Sequence, residues 1–106
     1  MTTVEHEIEP VEGDAVGSAA PVVWVRPGSN VQGMATMVVS SIAHETRVTL
    51  RAIGAGAVNQ AIKAAIQARQ QLAAQGEDMV VRPGFTNVKG NEGEPVTAVV
   101  LHCVLI

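Results

Sequence analysis

Apolar runs of strand length recur along the chain from residue 22 onwards. Residues 22–25 form a β-branched run, and residues 47–53 alternate between apolar and polar positions with a period of two. Residues 79–85 and residues 96–106 are two further runs, and the second is largely apolar on both faces. The pattern predicts four strands, with residues 86–95, which contain Gly, Asn and Pro, as a hairpin loop between the last two.

Two segments between these strands repeat their apolar residues at the spacing of a helix. The first begins at Ser29, which forms a capping-box pattern with Gln32, and ends near His44. The second runs over residues 57–75 and is followed by Gly76, a residue type favoured directly after helices. We expect the buried face of this second helix to consist of Val58, Ile62, Ala65, Ile66 and Leu72.

The resulting order of elements is β-α-β-α-β-β. Right-handed crossovers place both helices on one face of the sheet, so residues 21–106 are predicted to form a two-layer α/β sandwich with a four-stranded mixed sheet. No layer covers the other face of this sheet in a monomer, yet the strands at residues 22–25 and 96–106 direct apolar side chains there. This face predicts a dimer or a larger homo-oligomer.

The composition narrows the possible functions. The length of 106 residues suits one domain, and 47% of the residues are apolar, mostly Val and Ala. Trp24 and Phe85 are the only Trp and Phe, and there is no Tyr. Modules that read single strands by base stacking need several exposed rings, so this class of nucleic-acid recognition is excluded.

Charge is distributed unevenly along the chain. Residues 1–20 hold five carboxylates and no Lys or Arg, which is −5, and the rest carries +2 because the whole chain carries −3. We interpret residues 1–20 as a disordered acidic arm, able to contact a protein partner, and residues 21–106 as the folded domain. No secretory signal or membrane-spanning apolar run is visible, so a cytoplasmic location without membrane contact is expected.

Residues suited to catalysis or metal binding are few and scattered. Cys103 is the only cysteine, and His6, His44 and His102 have no partners at the spacing of metal ligands. No Ser, Cys or acidic residue is paired with a base as a nucleophile requires. The sequence therefore predicts no enzymatic activity, no metal and no cofactor.

The segment Gly54-Ala55-Gly56 follows a predicted strand and opens the second helix. Free backbone N–H groups at such a helix start can hold a phosphate. A dinucleotide-binding fingerprint also has this form, but Asn59 stands where that pattern requires Gly or Ala. Two interpretations remain, a phosphate contact from a nucleic acid and a tight strand-to-helix turn.

The positive charge of the domain resides in seven side chains. Arg47 and Arg51 lie on one side of the strand predicted at residues 47–53, with Thr49 between them. If most of the seven converge on one surface, phosphates bind there without sequence preference; otherwise the charges are scattered and solvated. The remaining five are Arg26, Lys63, Arg69, Arg82 and Lys89.

Three segments of the chain resemble the stage V sporulation protein S family. They are AIGAGAVNQAIKAA at residues 52–65 with Ala68-Arg69 after it, Ser29-Asn30-Val31 with Gly33, and residues 80–85, which end in Pro-Gly-Phe. The first of them is the most specific. The resemblance extends from residue 22 to residue 106, and the acidic arm resembles an addition to the compact members of the family.

That family is similar in fold to Alba, an archaeal chromatin protein that binds DNA and RNA as a dimer. The resemblance implies two nucleic-acid contacts, one from the loop at residues 26–30 and one from the hairpin that carries Lys89. It also implies a dimer contact from the second helix, where Asn59 and Gln60 lie on the polar face. Trp24, on the uncovered face of the sheet, is added as a third interface residue.

Two departures from Alba reduce the positive charge at the implied contacts. The loop has Arg26 alone where Alba tends to have a lysine pair, and Glu92 and Glu94 accompany Lys89 in the hairpin. The family resemblance implies a regulatory role in sporulation or cell differentiation rather than a chemical reaction.

Two hypotheses from different classes follow. The first is a non-enzymatic, cytoplasmic regulator of sporulation or cell differentiation that binds DNA or RNA through phosphate contacts, as a dimer or larger oligomer. The second is a self-assembling or partner-binding structural protein that binds no nucleic acid. For the first, the predicted nucleic-acid contacts are Arg26, Arg47, Arg51, Gly54, Gly56, Lys63, Arg82 and Lys89.

Overall fold

The computed structural model describes residues 8–10 and 20–106. Within them, two helices pack on one face of a five-stranded sheet. The elements are β1 (Ile8–Pro10), β2 (Pro21–Val25), α1 (Val31–Glu45), β3 (Arg47–Ala52), α2 (Ala55–Ala73), β4 (Met79–Lys89) and β5 (Pro95–Leu105). The predicted two-layer α/β sandwich is confirmed, and from β2 onward the order is the predicted β-α-β-α-β-β.

The sheet is mixed, with its strands in the order β1-β2-β3-β5-β4. β2 and β3 are parallel because α1 carries the chain back between them, whereas β5 is antiparallel to both of its neighbours. The core lies between the sheet and the two helices, and its sheet side includes Val23, Leu50 and Leu101 in one row of the register.

β1 is a short edge strand that the sequence did not predict. It pairs antiparallel with β2, so that Ile8 lies opposite Val23. The edge of β2 offers free backbone N–H and C=O groups, and a three-residue segment is enough to use some of them. The prediction of disorder over residues 1–20 differs from the structure at these three residues and at the buried Ala20, and the rest of the arm lies outside the described residues, where it stays a prediction.

α1 begins one residue later than the capping box predicts. Asn30 is the N-cap, and its Oδ1 accepts a hydrogen bond of 2.6 Å from the N–H of Gly33. The buried Ser29 instead accepts at its Oγ from the N–H of Arg26, at 2.8 Å. The capping box of Ser29 with Gln32 is therefore wrong, because the preceding turn already occupies the serine hydroxyl.

α2 buries alanines rather than isoleucines. Ile62 and Ile66 are 41% and 53% exposed, so the predicted buried face is wrong at these positions. Small side chains let α2 approach the sheet and α1 closely, and the larger side chains then lie on the outer side. The buried residues of α2 are Ala57, Ala61, Ala64, Ala65, Ala68 and Leu72.

The β4–β5 hairpin is tighter than predicted. The strands extend to Lys89 and from Pro95, so only residues 90–94 form the loop. Thr86 and Val88 pair across the strands with Ala98 and Val96, which continues the alternation that the Gly and Asn content of the segment obscured.

The back face of the sheet, opposite the helices, mixes apolar and charged side chains. Trp24, Arg51 and Val100 are neighbours in register, and the Arg51 guanidinium lies 4.9 Å from the centre of the Trp24 ring. Val22 and Val100 are 0% and 2% exposed, so the prediction that this face exposes its apolar residues is wrong at both. Ala20 packs on Val22, and the long Arg51 side chain lies beside Val100.

Candidate nucleic-acid interface

One end of the sheet gathers three loops. β2 and β3 both finish there, with Val25 in register with Ala52, so the loops that lead into α1 and α2 start side by side. β5 begins at the same end because it is antiparallel to β3, which also brings the hairpin loop there. We call residues 26–30, 53–56 and 89–95 the groove end. We call the opposite end of the strands, where both helices finish, the far end.

Hydrogen bonds hold the loop of residues 26–30 in one conformation. The N–H of Ser29 donates to the carbonyl of Arg26 at 3.0 Å, and the N–H of Arg26 donates to the Ser29 Oγ at 2.8 Å. Gln60 on α2 donates from its Nε2 to the carbonyl of Ser29 at 2.9 Å. Arg26 is exposed, so its guanidinium extends from a backbone that is already ordered.

α2 begins on glycines, and no side chain caps its first N–H groups. Gly54 is the N-cap, with a φ of 89° that L side chains rarely adopt. Gly56 lies against Pro27, and a Cβ at this position would come 3.3 Å from the Pro27 Cβ. The N–H groups at this helix start carry partial positive charge and can donate to a phosphate oxygen.

A shallow groove of about 390 Å³ joins these loops to the hairpin. Arg26 from the first loop and Lys89 from the end of β4 both line it, and both are exposed. Two cations that are distant in the sequence, and that were predicted for separate contacts, therefore share one site. The remaining lining residues are Trp24, Val25, Pro27, Ile53, Val88 and Asn91.

The other cations predicted to bind nucleic acid lie outside the groove. Arg47 and Arg82 are on the back face of the sheet, half-buried and exposed respectively, and Lys63 is exposed on α2. Arg51 is only 7% exposed, contrary to the exposure expected of it, because it lies against Trp24. The cations of the domain therefore do not all converge on one surface.

The hairpin loop carries carboxylates close to Lys89. The Glu94 side chain accepts from the N–H of Glu92 at 2.9 Å, and the Glu94 carbonyl accepts from the N–H of Gly90 at 2.6 Å. Both glutamates are exposed. Their charge lowers the positive potential around Lys89.

The three residues predicted for a dimer contact have different environments. Asn59 is exposed on α2. Gln60 bonds Ser29 within the chain, and Trp24 lines the groove while it lies against Arg51. Among the three, Asn59 alone has a side chain that these intrachain contacts leave available.

Sequence reasoning missed a set of exposed apolar side chains. Ile62 and Ile66 lie one helical turn apart on α2, and Phe85 on β4 is 79% exposed. A spacing of four residues is compatible with a buried stripe and with an exposed one, so the sequence alone did not decide between them.

An ion pair occupies the far end of the sheet. Arg69 donates from Nε and from its second terminal nitrogen to the two carboxylate oxygens of Asp78, at 2.9 and 3.0 Å. The hydrogen bond from Arg69 lowers the pKa of Asp78, and a bond of 2.7 Å from the N–H of Met79 lowers it further. One of the seven cations is thus already paired with a carboxylate.

Potential reactive groups are sparse in the described part of the chain. Burial raises the pKa of the Cys103 thiol to about 12, so this thiol is protonated and unreactive near neutral pH. No group of three or more His, Cys, Asp or Glu residues gathers there as metal ligands do. No helix among residues 20–106 is long and apolar enough to cross a membrane.

The chain has an Alba-like fold, a two-layer arrangement of helices on a mixed sheet. The solved structure of Alba from Thermoplasma volcanium is similar to it, with a TM-score of 0.52 and 14% sequence identity, over 79% of this chain and 96% of that chain. Residues 21–105 match the stage V sporulation protein S (SpoVS) family, and the chain belongs to that family. Both the fold and the family predicted from the sequence are confirmed.

Proposed function

We propose that this chain is a non-enzymatic, nucleic-acid-binding regulator of sporulation or cell differentiation that acts in the cytoplasm. The observation that carries the proposal is one groove lined by Arg26 and Lys89 together with Ile53, the residue directly before the uncapped start of α2. These groups donate hydrogen bonds and positive charge, which suits phosphate oxygens. They form no array of side chains for reading base edges, so the ligand is the backbone of DNA or RNA, whatever its sequence.

The small number of cations makes a single groove a weak and salt-sensitive binder. Two side chains neutralise on the order of two phosphates, and on duplex DNA each one contributes about 0.9 to the slope of log affinity against log salt. The neighbouring Glu92 and Glu94 subtract from this attraction. A binder of this kind gains affinity when its contacts are repeated along the nucleic acid.

A second copy of the chain supplies that repetition. Asn59, Ile62 and Ile66 follow one stripe of α2 at helical spacing, and all three are exposed. We propose a homodimer or larger oligomer that uses this stripe, with the amide of Asn59 beside the two isoleucines. Symmetric pairing then presents two grooves to one nucleic acid.

Salt-dependent binding of matched charge variants tests the groove. Arg26→Gln and Arg69→Gln remove the same charge, one at the groove and one at the far end. We expect Arg26→Gln to weaken binding to random-sequence duplex and RNA and to lower the salt slope by about 0.9, while Arg69→Gln leaves the slope unchanged. Fluorescence anisotropy at low and moderate salt measures both.

Equal effects of the two variants would remove the groove from the proposal. A wild-type chain that binds neither duplex nor RNA at low salt, with residues 1–20 present or removed, would overturn nucleic-acid binding altogether.

A second candidate function is self-assembly or protein-partner binding without nucleic acid. The exposed Ile62, Ile66 and Phe85 favour it, together with the low charge of +2 outside the arm. Sedimentation velocity of the wild type and of Ile66→Ser distinguishes the outcomes. Association that depends on Ile66, in a chain that binds no nucleic acid at low salt, supports this candidate; a wild type that stays monomeric at all concentrations argues against it.

A further inference from the structure

The register of β1 directs the N-terminal residues towards the groove. β1 runs antiparallel to β2, and Ile8 lies opposite Val23. Traced from Pro10 to Ile8, β1 therefore runs in the direction in which β2 continues to Trp24. Trp24 and Arg26 both line the groove, so the Ile8 end of β1 is the end nearer the groove.

Charge and length fit residues 1–7 to the groove. They include Glu5 and Glu7 and no Lys or Arg, whereas the groove presents Arg26 and Lys89. At about 3.3 Å per residue, seven extended residues span up to about 23 Å, which is ample because the groove begins at the residue after Val23.

We propose that residues 1–7 dock in the groove of their own chain, where Glu5 and Glu7 occupy the place of phosphates. This rests on the proposed function, because it names an internal competitor for the same site. Tethering gives the segment an effective concentration on the order of millimolar, so even a weak contact fills the groove. A polyanion that offers many phosphates displaces the segment, whereas an isolated phosphate group does not.

The same register provides a matched control. Pro10 pairs with Pro21 at the end of β2 away from the groove, and residues 11–19 follow from there with Glu12 and Asp14. The double variants Glu5→Gln with Glu7→Gln and Glu12→Gln with Asp14→Asn remove equal charge from the arm. The first variant removes charge before β1 in the chain, and the second removes it after β1.

Nucleic-acid binding by these two double variants of the full chain tests the competition. We expect the Glu5 and Glu7 variant to bind labelled random-sequence duplex and RNA about three- to tenfold more tightly at low salt, as for loss of a tethered competitor. The Glu12 and Asp14 variant should change affinity less, and the gain should shrink as salt rises. Equal gains in affinity from both double variants would show that net charge alone causes the effect, and would overturn the proposal.

Trp24, the only tryptophan, reports docking without any nucleic acid. We expect the Glu5 and Glu7 variant to shift the NMR signals of the Trp24 indole N–H and of Lys89, and the control variant to leave them unchanged. Unshifted signals overturn the docking whatever the binding data show. Shifted signals in a chain that binds no nucleic acid support the docking and reject the proposed function instead. Shifts that depend on protein concentration would assign the contact to a second copy and overturn the intrachain proposal.

Discussion

The groove end and the far end of the sheet each hold an exposed arginine, and the two arginines differ in their ion pairing. At the far end, Arg69 donates to both carboxylate oxygens of Asp78. At the groove end, no ion pair joins Arg26 to another described residue. A count of cations therefore predicts a phosphate site poorly, since the position of the nearest carboxylate decides which cations are available.

The helices reinforce this difference between the ends. Both start at the groove end, where backbone N–H groups carry partial positive charge, and both finish at the far end, where carbonyls carry partial negative charge. Backbone bonds also close the far end, such as that from the N–H of Leu105 to the carbonyl of Thr46 at 2.9 Å. The helix ends alone therefore favour an anion at the groove end and disfavour one at the far end.

The largest expected effect comes from breaking the close approach at the groove end. In Gly56→Leu the added Cβ alone would come 3.3 Å from the Pro27 Cβ, a tight contact that requires the loop to shift by a few tenths of an ångström. We expect a loss of about 1–3 kcal/mol of unfolding free energy, typical of overpacked sites, and weaker nucleic-acid binding as the loop of residues 26–30 moves. Urea unfolding and anisotropy measure the two effects.

Gly28→Ala is the control for this variant, because no heavy atom lies within 4 Å of its added Cβ. A Gly56→Leu chain as stable as the wild type would contradict the close packing of α2 on the loop.

A smaller effect is expected when the loop of residues 26–30 is loosened without added bulk. Ser29→Ala removes the acceptor of the Arg26 N–H at a site that is 2% exposed. We expect a cost of about 1 kcal/mol, the usual net value of such a bond, and a loss of nucleic-acid affinity because Arg26 loses one of the two hydrogen bonds that fix its backbone. Ser40→Ala, on the exposed side of α1, is the control. Unchanged affinity in Ser29→Ala would show that the order of the loop is unimportant for binding.

The two helix starts at the groove end allow a third comparison. α1 is capped by Asn30, whose side chain accepts from the N–H of Gly33, whereas α2 has no side-chain cap. Asn30→Ala should cost about 1 kcal/mol, measured by thermal unfolding, and Asn30→Asp should retain most of the stability because aspartate also caps. Equal losses in the two variants would argue against the capping role.

The smallest expected effect concerns the far end and its dependence on pH. Arg69 lowers the pKa of Asp78, so the pair stabilises the fold above the unfolded pKa of about 4 and ceases to do so as pH falls through the lowered value. Asp78→Asn should therefore reduce the loss of stability below about pH 4, by a small amount because both side chains are exposed. Thermal unfolding from neutral to acid pH measures this, and an acid loss identical to that of the wild type would contradict it.

Local periodicity predicted the elements but not how they are rotated or extended. The alternation over β3 and the helical spacing in α1 were sufficient to predict a strand and a helix, although Thr49 and Arg51 on the polar side of β3 are buried as well. The exposure of Ile62 and Ile66 was not predictable, since the rotation of α2 is set by how closely its alanines approach the rest of the core. The extension of β4 to Lys89 depends on pairing with β5, which the residues of β4 alone do not reveal.

The candidate site likewise has features that were predictable from the sequence and features that were not. Arg26 and Lys89 were identified from the family resemblance, but their shared groove arises from the register of β2, β3 and β5 and from the hairpin beyond them. The period of two placed Arg51 on the back face correctly, yet its burial against Trp24 depends on the neighbouring strand. Contacts within one element were predictable, and contacts between elements were not.

The alanine face of α2 also restricts how this helix can change in evolution. Ala57, Ala61, Ala64 and Ala68 are all at most 1% exposed. Every apolar residue other than glycine is larger than alanine, so a hydrophobic exchange here overfills the interface, and glycine costs about 1 kcal/mol in a helix interior. Substitutions are therefore tolerated mainly on the outer side of α2, so the helix can acquire new binding partners while its inner side keeps the fold unchanged.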